Sequence, residues 1–246
     1  PNYKDIMQNE NTPNIESMSI NQVMDEALRL QTQGSLADAE KMIRKILRVH
    51  PKFPPAIHLL GVIAHMAGNT QDAVKIIAQA ISLAPNQALF QTNYAEMQRL
   101  LGNLDLAIKH GEIAIKLNNK MPAAMSNLGI AYYDKGELDK AETCQKKALA
   151  LDPDLASALN NLGSIQRDNK DKEAAIETYR NVIARHPHHL ESISNLGATL
   201  SETEQYDEAV QVFLSAIRIN PQYAEAHCNI GSAFFGLEQY DKALHA

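Results

Sequence analysis

The sequence has no tryptophan and only two cysteines, and aromatic residues make up 5% of it. Two thiols, Cys144 and Cys228, are too few for a disulfide framework or a four-thiolate metal site. They read as small apolar fillers. No apolar run approaches the ~20 residues that a membrane-spanning helix needs. Positive charge is not in excess either: 23 Lys and Arg stand against 29 Asp and Glu, a formal net charge of −6. A surface that tracks phosphates needs the opposite balance, which argues against a nucleic-acid partner. The opening residues, PNYKDIMQNENTPNIESMS, lack the basic-then-apolar pattern of an export signal. The chain therefore reads as cytoplasmic, although an exported chain that has shed its leader would look the same.

What is present is repetition. With 45% hydrophobic residues the chain can bury a large core, and its apolar and small residues recur at a fixed step. Pro51, Pro85, Pro153, Pro187 and Pro221 lie 34 residues apart, or 68 across Asn119. Ala39, Ala73, Ala107, Ala141, Ala175, Ala209 and Ala243 keep the same step without a gap. A third column is always small: Ala27, Gly61, Ala95, Gly129, Gly163, Gly197 and Gly231. Three columns in one register divide the chain into repeats at 20–53, 54–87, 88–121, 122–155, 156–189 and 190–223, with a partial seventh at 224–246. Residues 1–19 are polar, lack apolar periodicity and read as a flexible tail.

Inside each repeat the spacing is helical. Met125, Leu128, Gly129 and Tyr132 fall on one face of a first helix, Lys135-Gly136-Glu137 breaks it, and Leu138, Ala141, Ala148 and Leu149 mark a second helix that Asp152-Pro153 ends. Each helix should be about 13 residues and ~20 Å long. Ala or Gly where two helices cross lets their backbones approach closely. No segment alternates with period two, so no strand is expected.

The segments AAMSNLGIAYYDKGELDKAETCQKKALALDP, from Ala123 to Pro153, and SALNNLGSIQRDNKDKEAAIETYRNVIARHP, from Ser157 to Pro187, resemble the tetratricopeptide repeat (TPR) family in their Leu-Gly, Tyr, Gly, Ala, Ala and Pro positions. The resemblance implies an all-α fold, a right-handed αα superhelical solenoid of TPR helix pairs. First helices would line its concave side and second helices its convex side. Departures from the pattern carry expectations of their own. Gly111 stands where other repeats have Ile77, Gln145, Tyr179 or Phe213, which should leave packing volume unfilled and soften the solenoid there. Lys170, Glu204 and Glu238 replace the turn glycine and should sit uneasily in a left-handed turn. The last repeat breaks off within its second helix. Solenoids normally end in a polar-faced cap, so a longer natural protein is expected, with self-association through the uncapped helix as an alternative.

Catalytic signatures are missing: no nucleophile elbow, phosphate loop, dinucleotide fingerprint or metalloprotease motif occurs. His186, His188 and His189 lie in a turn, where solvated histidines are ordinary, so no metal or cofactor is expected. His58 and His65, seven apart on a first helix, are weaker ligand candidates than solvated or capped side chains. The expected function is protein binding, with no enzyme within these residues.

One column suggests how. Asn93, Asn127, Asn161, Asn195 and Asn229 each lie two residues before the small column, at the edge of the first helix. An Asn amide offers both a donor and an acceptor to a peptide backbone. First helices ~8–10 Å apart would present one amide about every third residue of a strand rising ~3.3 Å per residue. This arrangement is similar to the asparagine ladder of O-linked N-acetylglucosamine transferase and its bacterial relatives. That likeness implies an extended peptide or protein segment as ligand, delivered to a glycosyltransferase or sulfotransferase domain elsewhere in a larger protein. Arg99, Tyr133, Arg167 and Phe235 should flank the groove, with Ser126, Asn160, Ser164, Ser194 and Ser232 between them. The residues just before the ladder (Thr92, Ser126, Asn160, Ser194 and Cys228) include no lysine, which argues against the carboxylate clamp of the family's chaperone cofactors. The competing expectation is a scaffold with no peptide ligand.

Overall fold

A computed structural model of the chain describes residues 19–245. The expected N-terminal tail lies outside them, apart from Ser19. That residue belongs to the fold: its hydroxyl accepts from the Gln22 N–H and caps the first helix. The chain divides into two compact units, Pro1–Asn103 and Leu104–Ala246. The first contains α1 (Ile20–Thr32), α2 (Leu36–Val49), α3 (Pro54–Met66), α4 (Thr70–Leu83) and α5 (Ala88–Leu100). The second contains α6 (Leu104–Leu117), α7 (Pro122–Asp134), α8 (Leu138–Leu151), α9 (Ala156–Asp168), α10 (Lys172–Arg185), α11 (Leu190–Glu202), α12 (Tyr206–Ile219), α13 (Ala224–Gly236) and α14 (Tyr240–His245). No strand occurs among the described residues. Helices pack in consecutive pairs, and within each unit a first helix also touches the next first helix: α1 with α3, α3 with α5, α7 with α9, α9 with α11, and α11 with α13. The fold is the all-α repeat architecture that the periodicity predicts.

The small columns act at the helix crossings. Ala39, Ala73, Ala141, Ala175 and Ala209 have no exposed surface. A Cβ added at Gly163 would stand 2.6 Å from the Tyr179 ring, and one at Gly197 2.6 Å from the Phe213 ring. Tyr179 and Phe213 are themselves wholly buried. A large side chain on the second helix thus fills the space that glycine leaves on the first, giving crystal-like interior density.

The turns show a tertiary demand overriding local preference. At Gly136, φ is +82°; its N–H donates to the Tyr133 carbonyl at 2.8 Å, and the Glu137 N–H donates to the Tyr132 carbonyl at 2.9 Å. These two bonds satisfy carbonyls the helix end would otherwise orphan. Lys170, Glu204 and Glu238 adopt the same left-handed geometry, with φ of 67°, 62° and 59°. They keep both hydrogen bonds too; at Lys170 the pair is Lys170 N–H to Arg167 O and Asp171 N–H to Gln166 O. The left-handed penalty of ~1–2 kcal/mol is met by those bonds and by the packing of the next helix, so the turn does not change.

Two expectations need correction. Gly111 is buried, and the space its own side chain would take is occupied by Leu128 of α7, whose Cδ1 lies 2.9 Å from where a Cβ would stand. The boundary between the two compact units does fall in this same repeat, between Asn103 and Leu104. Cys144 is buried as expected, whereas Cys228 is exposed, because it sits just before Asn229 on the edge of α13 rather than on its packed face.

Relief of strain and loss of close approach should pull stability in opposite directions. Lys170→Gly should raise the free energy of unfolding by up to about 1 kcal/mol, since glycine carries no left-handed penalty. Gly197→Ala should lower it by roughly 1–3 kcal/mol through overpacking against Phe213. Urea titrations of the full chain read both signs.

Candidate functional site

The asparagine column is placed at one edge of successive first helices. Asn93 lies on α5 in the first compact unit; Asn127, Asn161, Asn195 and Asn229 lie on α7, α9, α11 and α13 in the second. All five are half-buried. Three of them reach sideways to a polar residue 35 positions earlier. Asn93 Nδ2 lies 3.0 Å from His58 Nε2, Asn161 Nδ2 3.4 Å from Ser126 Oγ, and Asn195 Nδ2 3.1 Å from Asn160 Oδ1. Within their own unit the side chains of Asn127 and Asn229 make no hydrogen bond among the described residues.

Those acceptors belong to the packing side of the helix, which corrects the expected groove lining. Ser126 is buried; its hydroxyl donates to Gln145 Oε1 at 2.8 Å, while Gln145 Nε2 donates to the Ser126 carbonyl at 3.1 Å. Asn160 is buried, and its Oδ1 accepts from Ser192 Oγ at 2.9 Å as well as from Asn195. Ser194 is buried also. Ser164 turns inward to the Asn160 carbonyl and the Tyr179 hydroxyl. One step along a helix is a 100° rotation, and it carries these positions from the edge into the contact with the second helix. Ser232 and Phe235 are exposed.

These three amides use their nitrogen sideways and keep their carbonyl free. The Oδ1 atoms of Asn93, Asn161 and Asn195 accept no hydrogen bond among the described residues. The sequence missed the role of the polar column His58, Ser126 and Asn160. Its signal was there, a polar residue kept at the same 34-residue step beside a packed position.

Three of the four charged or aromatic flanking residues, Arg99, Tyr133 and Arg167, sit near the C-terminal ends of their helices and are partnered by carboxylates. Arg99 Nη2 pairs with Glu96 at 2.9 Å on α5. In the second unit, Asp168 accepts from the Tyr133 hydroxyl and lies 3.7 Å from Arg167 Nε. Burial, and then the bond to Asp168, push the Tyr133 phenol up to about 12. It stays a neutral donor.

Four of the histidines make contacts within the fold. His58 is buried, stacks on Phe90 with ring centroids 4.3 Å apart, and meets the Asn93 amide. His65 bonds Thr70, His186 lies 3.3 Å from Asp154, and His189 accepts from the Ser192 N–H to cap α11. Among the described residues no group of three His, Cys, Asp or Glu side chains is placed to hold a metal, and no helix is long and apolar enough to cross a membrane.

Stacked helix pairs of fixed length, closed at their crossings by Ala and Gly, define a helical-repeat protein. The chain belongs to the tetratricopeptide repeat family: models of the TPR repeat match residues 24–88, 67–122, 120–185 and 197–238. No curated protein matches it. Among solved structures it is similar to the Cut9–Hcn1 complex of the APC/C, at 18% identity and a TM-score of 0.77, covering 86% of this chain. It spans 42% of that neighbour's length. It is also similar to pilF of Pseudomonas aeruginosa, at 17% identity, a TM-score of 0.72, and coverage of 84% of this chain and 94% of that one. A third likeness is to YrrB, described as a TPR protein with an unusual peptide-binding site, at 21% identity, a TM-score of 0.53, and coverage of 69% and 87%. At these identities the likenesses define the fold.

The buried histidine makes acid sensitivity specific to one residue. Burial lowers the His58 pKa from 6.5 to about 4, so the unfolded chain takes up a proton that the folded chain refuses. The stability His58 contributes is full above pH 6.5 and is lost as pH falls toward 4, by roughly 3 kcal/mol over the window. His58→Phe, which keeps the stacking on Phe90, should flatten the fall in unfolding free energy between pH 6.5 and 4.5.

Proposed function

We propose that this chain is a protein-binding module whose first-helix face in the second compact unit takes an extended peptide segment. TPR repeats form protein-interaction modules, and the asparagine column supplies the recognition element. The observation that carries the reading is the lateral bonding of Asn161 and Asn195: it fixes each amide plane and leaves Oδ1 as an outward acceptor. Held this way, the column reads backbone N–H groups. It is indifferent to side chains, except where Tyr133, Arg167 and Phe235 border it. Pre-formed helices leave the ordering cost mainly to the ligand. A transferase domain that would consume the bound segment rests on the asparagine resemblance alone.

A second reading has its own observation. Phe235, Tyr240 and Leu244 are 65%, 53% and 83% exposed on α13 and α14, with the two rings edge to face at 5.4 Å. Such a patch suits self-association into a scaffold. Sedimentation separates the readings: a mass that climbs with concentration in the parent chain, and not in Phe235→Ser/Leu244→Ser, would favour assembly.

For the groove, a peptide selected by display on the parent chain and then synthesised is the probe. Asn127→Ala/Asn161→Ala/Asn195→Ala should weaken its binding on the order of a hundredfold, at about 1 kcal/mol per backbone bond lost. Helicity should persist, because Ser126 and Asn160 retain Gln145 and Ser192 as partners. Unchanged anisotropy would remove the groove.

A further inference from the structure

A cavity of about 510 Å³ opens between the second helices α6 and α8, over the first helix α7. This lies within the size range of ligand sites. Its floor is apolar: Ile115 of α6, and Met125, Leu128 and Tyr132 on one face of α7. The Leu128 side chain that leans toward Gly111 is the same one that lines the cavity. Tyr132 is fixed in place, its hydroxyl donating to Glu112 and Lys140 Nζ lying 5.2 Å from its ring centroid. The wall carries three ammonium groups, Lys116, Lys140 and Lys147, against two carboxylates, Glu112 and Asp139. Lys140 is paired with Glu137 at 2.6 Å, whereas Lys116 and Lys147 have no ion pair among the described residues. Two uncommitted cations beside an apolar pit are out of keeping with a chain of net charge −6.

We infer that this cavity is a second docking site, on the face opposite the asparagine column, for an acidic segment of a partner protein that inserts one bulky apolar side chain onto Leu128, Met125 and Tyr132 while its flanking carboxylates meet Lys116 and Lys147. A buried aromatic or aliphatic anchor supplies most of the energy at such sites. Rim cations set orientation and approach rate. The inference stands on its own cavity and does not depend on the groove.

Cys144 lines the cavity and Cys228 does not. Because Cys144 is itself buried, its alkylation is read beside direct peptide binding by anisotropy. A distant-site ligand that only raised global stability would protect it without depending on Lys116 and Lys147. In a Cys228→Ser background of the full chain, the probe is a fluorescein-labelled, C-terminally amidated pentapeptide, Asp-Glu-Phe-Glu-Asp. It should slow alkylation of Cys144 by N-ethylmaleimide at least tenfold at saturation, read by mass spectrometry. Anisotropy should show binding weakened tenfold or more by Lys116→Glu/Lys147→Glu, two surface changes that spare the core. Gly111→Ala, which drives Leu128 into the cavity, should weaken it as well, and the triple alanine change of the asparagine column should leave it intact. The inference is overturned if anisotropy shows no binding in millimolar protein, if a peptide with Ser in place of Phe binds equally, or if the double lysine change has no effect. Protection that rises with protein concentration without peptide would assign the cavity to a second copy and overturn it too, as would equal protection by N-acetylphenylalanine, which would assign it to a small organic anion.

Discussion

Everything in this molecule depends on how closely a first helix can approach its second helix. Ala and Gly at the crossing remove side-chain volume, and a large residue such as Tyr179 or Phe213 takes up the space from the other side. The approach fixes the rotation of each helix about its axis. Once that rotation is fixed, every other position in the 34-residue register has an assigned direction: the alanine column inward, the asparagine column to the edge, the turn residues outward. A repeat protein makes each contact only with neighbours in sequence, so the same local solution recurs and the asparagines fall at regular intervals without further specification.

The close approach also dictates the turns. Two helices that must meet within a few residues leave room for only one hydrogen-bonded reversal, and that reversal needs a left-handed residue. Gly136 supplies it freely; Lys170, Glu204 and Glu238 supply it under strain, with both backbone bonds intact. Local preference is worth about 1 kcal/mol per residue, which is small beside the burial of a helix face that holds Ile193, Leu196 and Leu200.

Helix order, lengths and turns were legible in the sequence because they follow from periodicity, a property of the chain alone. The asparagine column was legible as a column. Its hydrogen bonds were not, since they depend on which of two adjacent columns, one rotation step apart, faces the neighbouring helix. Ser126 and Asn160 read as groove residues and prove to be interior acceptors, and His58 reads as solvated or capped and proves to be buried and stacked on Phe90. Polarity predicts exposure only while no partner is at hand; a buried polar group with a satisfied bond costs little. Gly111 failed as a guide for a related reason. A missing side chain leaves a question about its neighbours, and Leu128 answered it by moving in.

The inward bonds of the asparagine column have a consequence for what a groove of this kind can recognise. A free amide rotates and can pair with a donor or an acceptor. An amide whose nitrogen is already committed to Ser126 or Asn160 is oriented, presents one kind of atom, and loses little entropy when a ligand arrives. In the groove reading proposed above, recognition would rest on the N–H groups of a visiting chain. Proline at a contacted position would be rejected because it has none, and an extended segment whose N–H groups already serve a helix or sheet would have nothing to offer. On that reading the proposed selectivity is for unfolded backbone, set by interior contacts that no ligand touches.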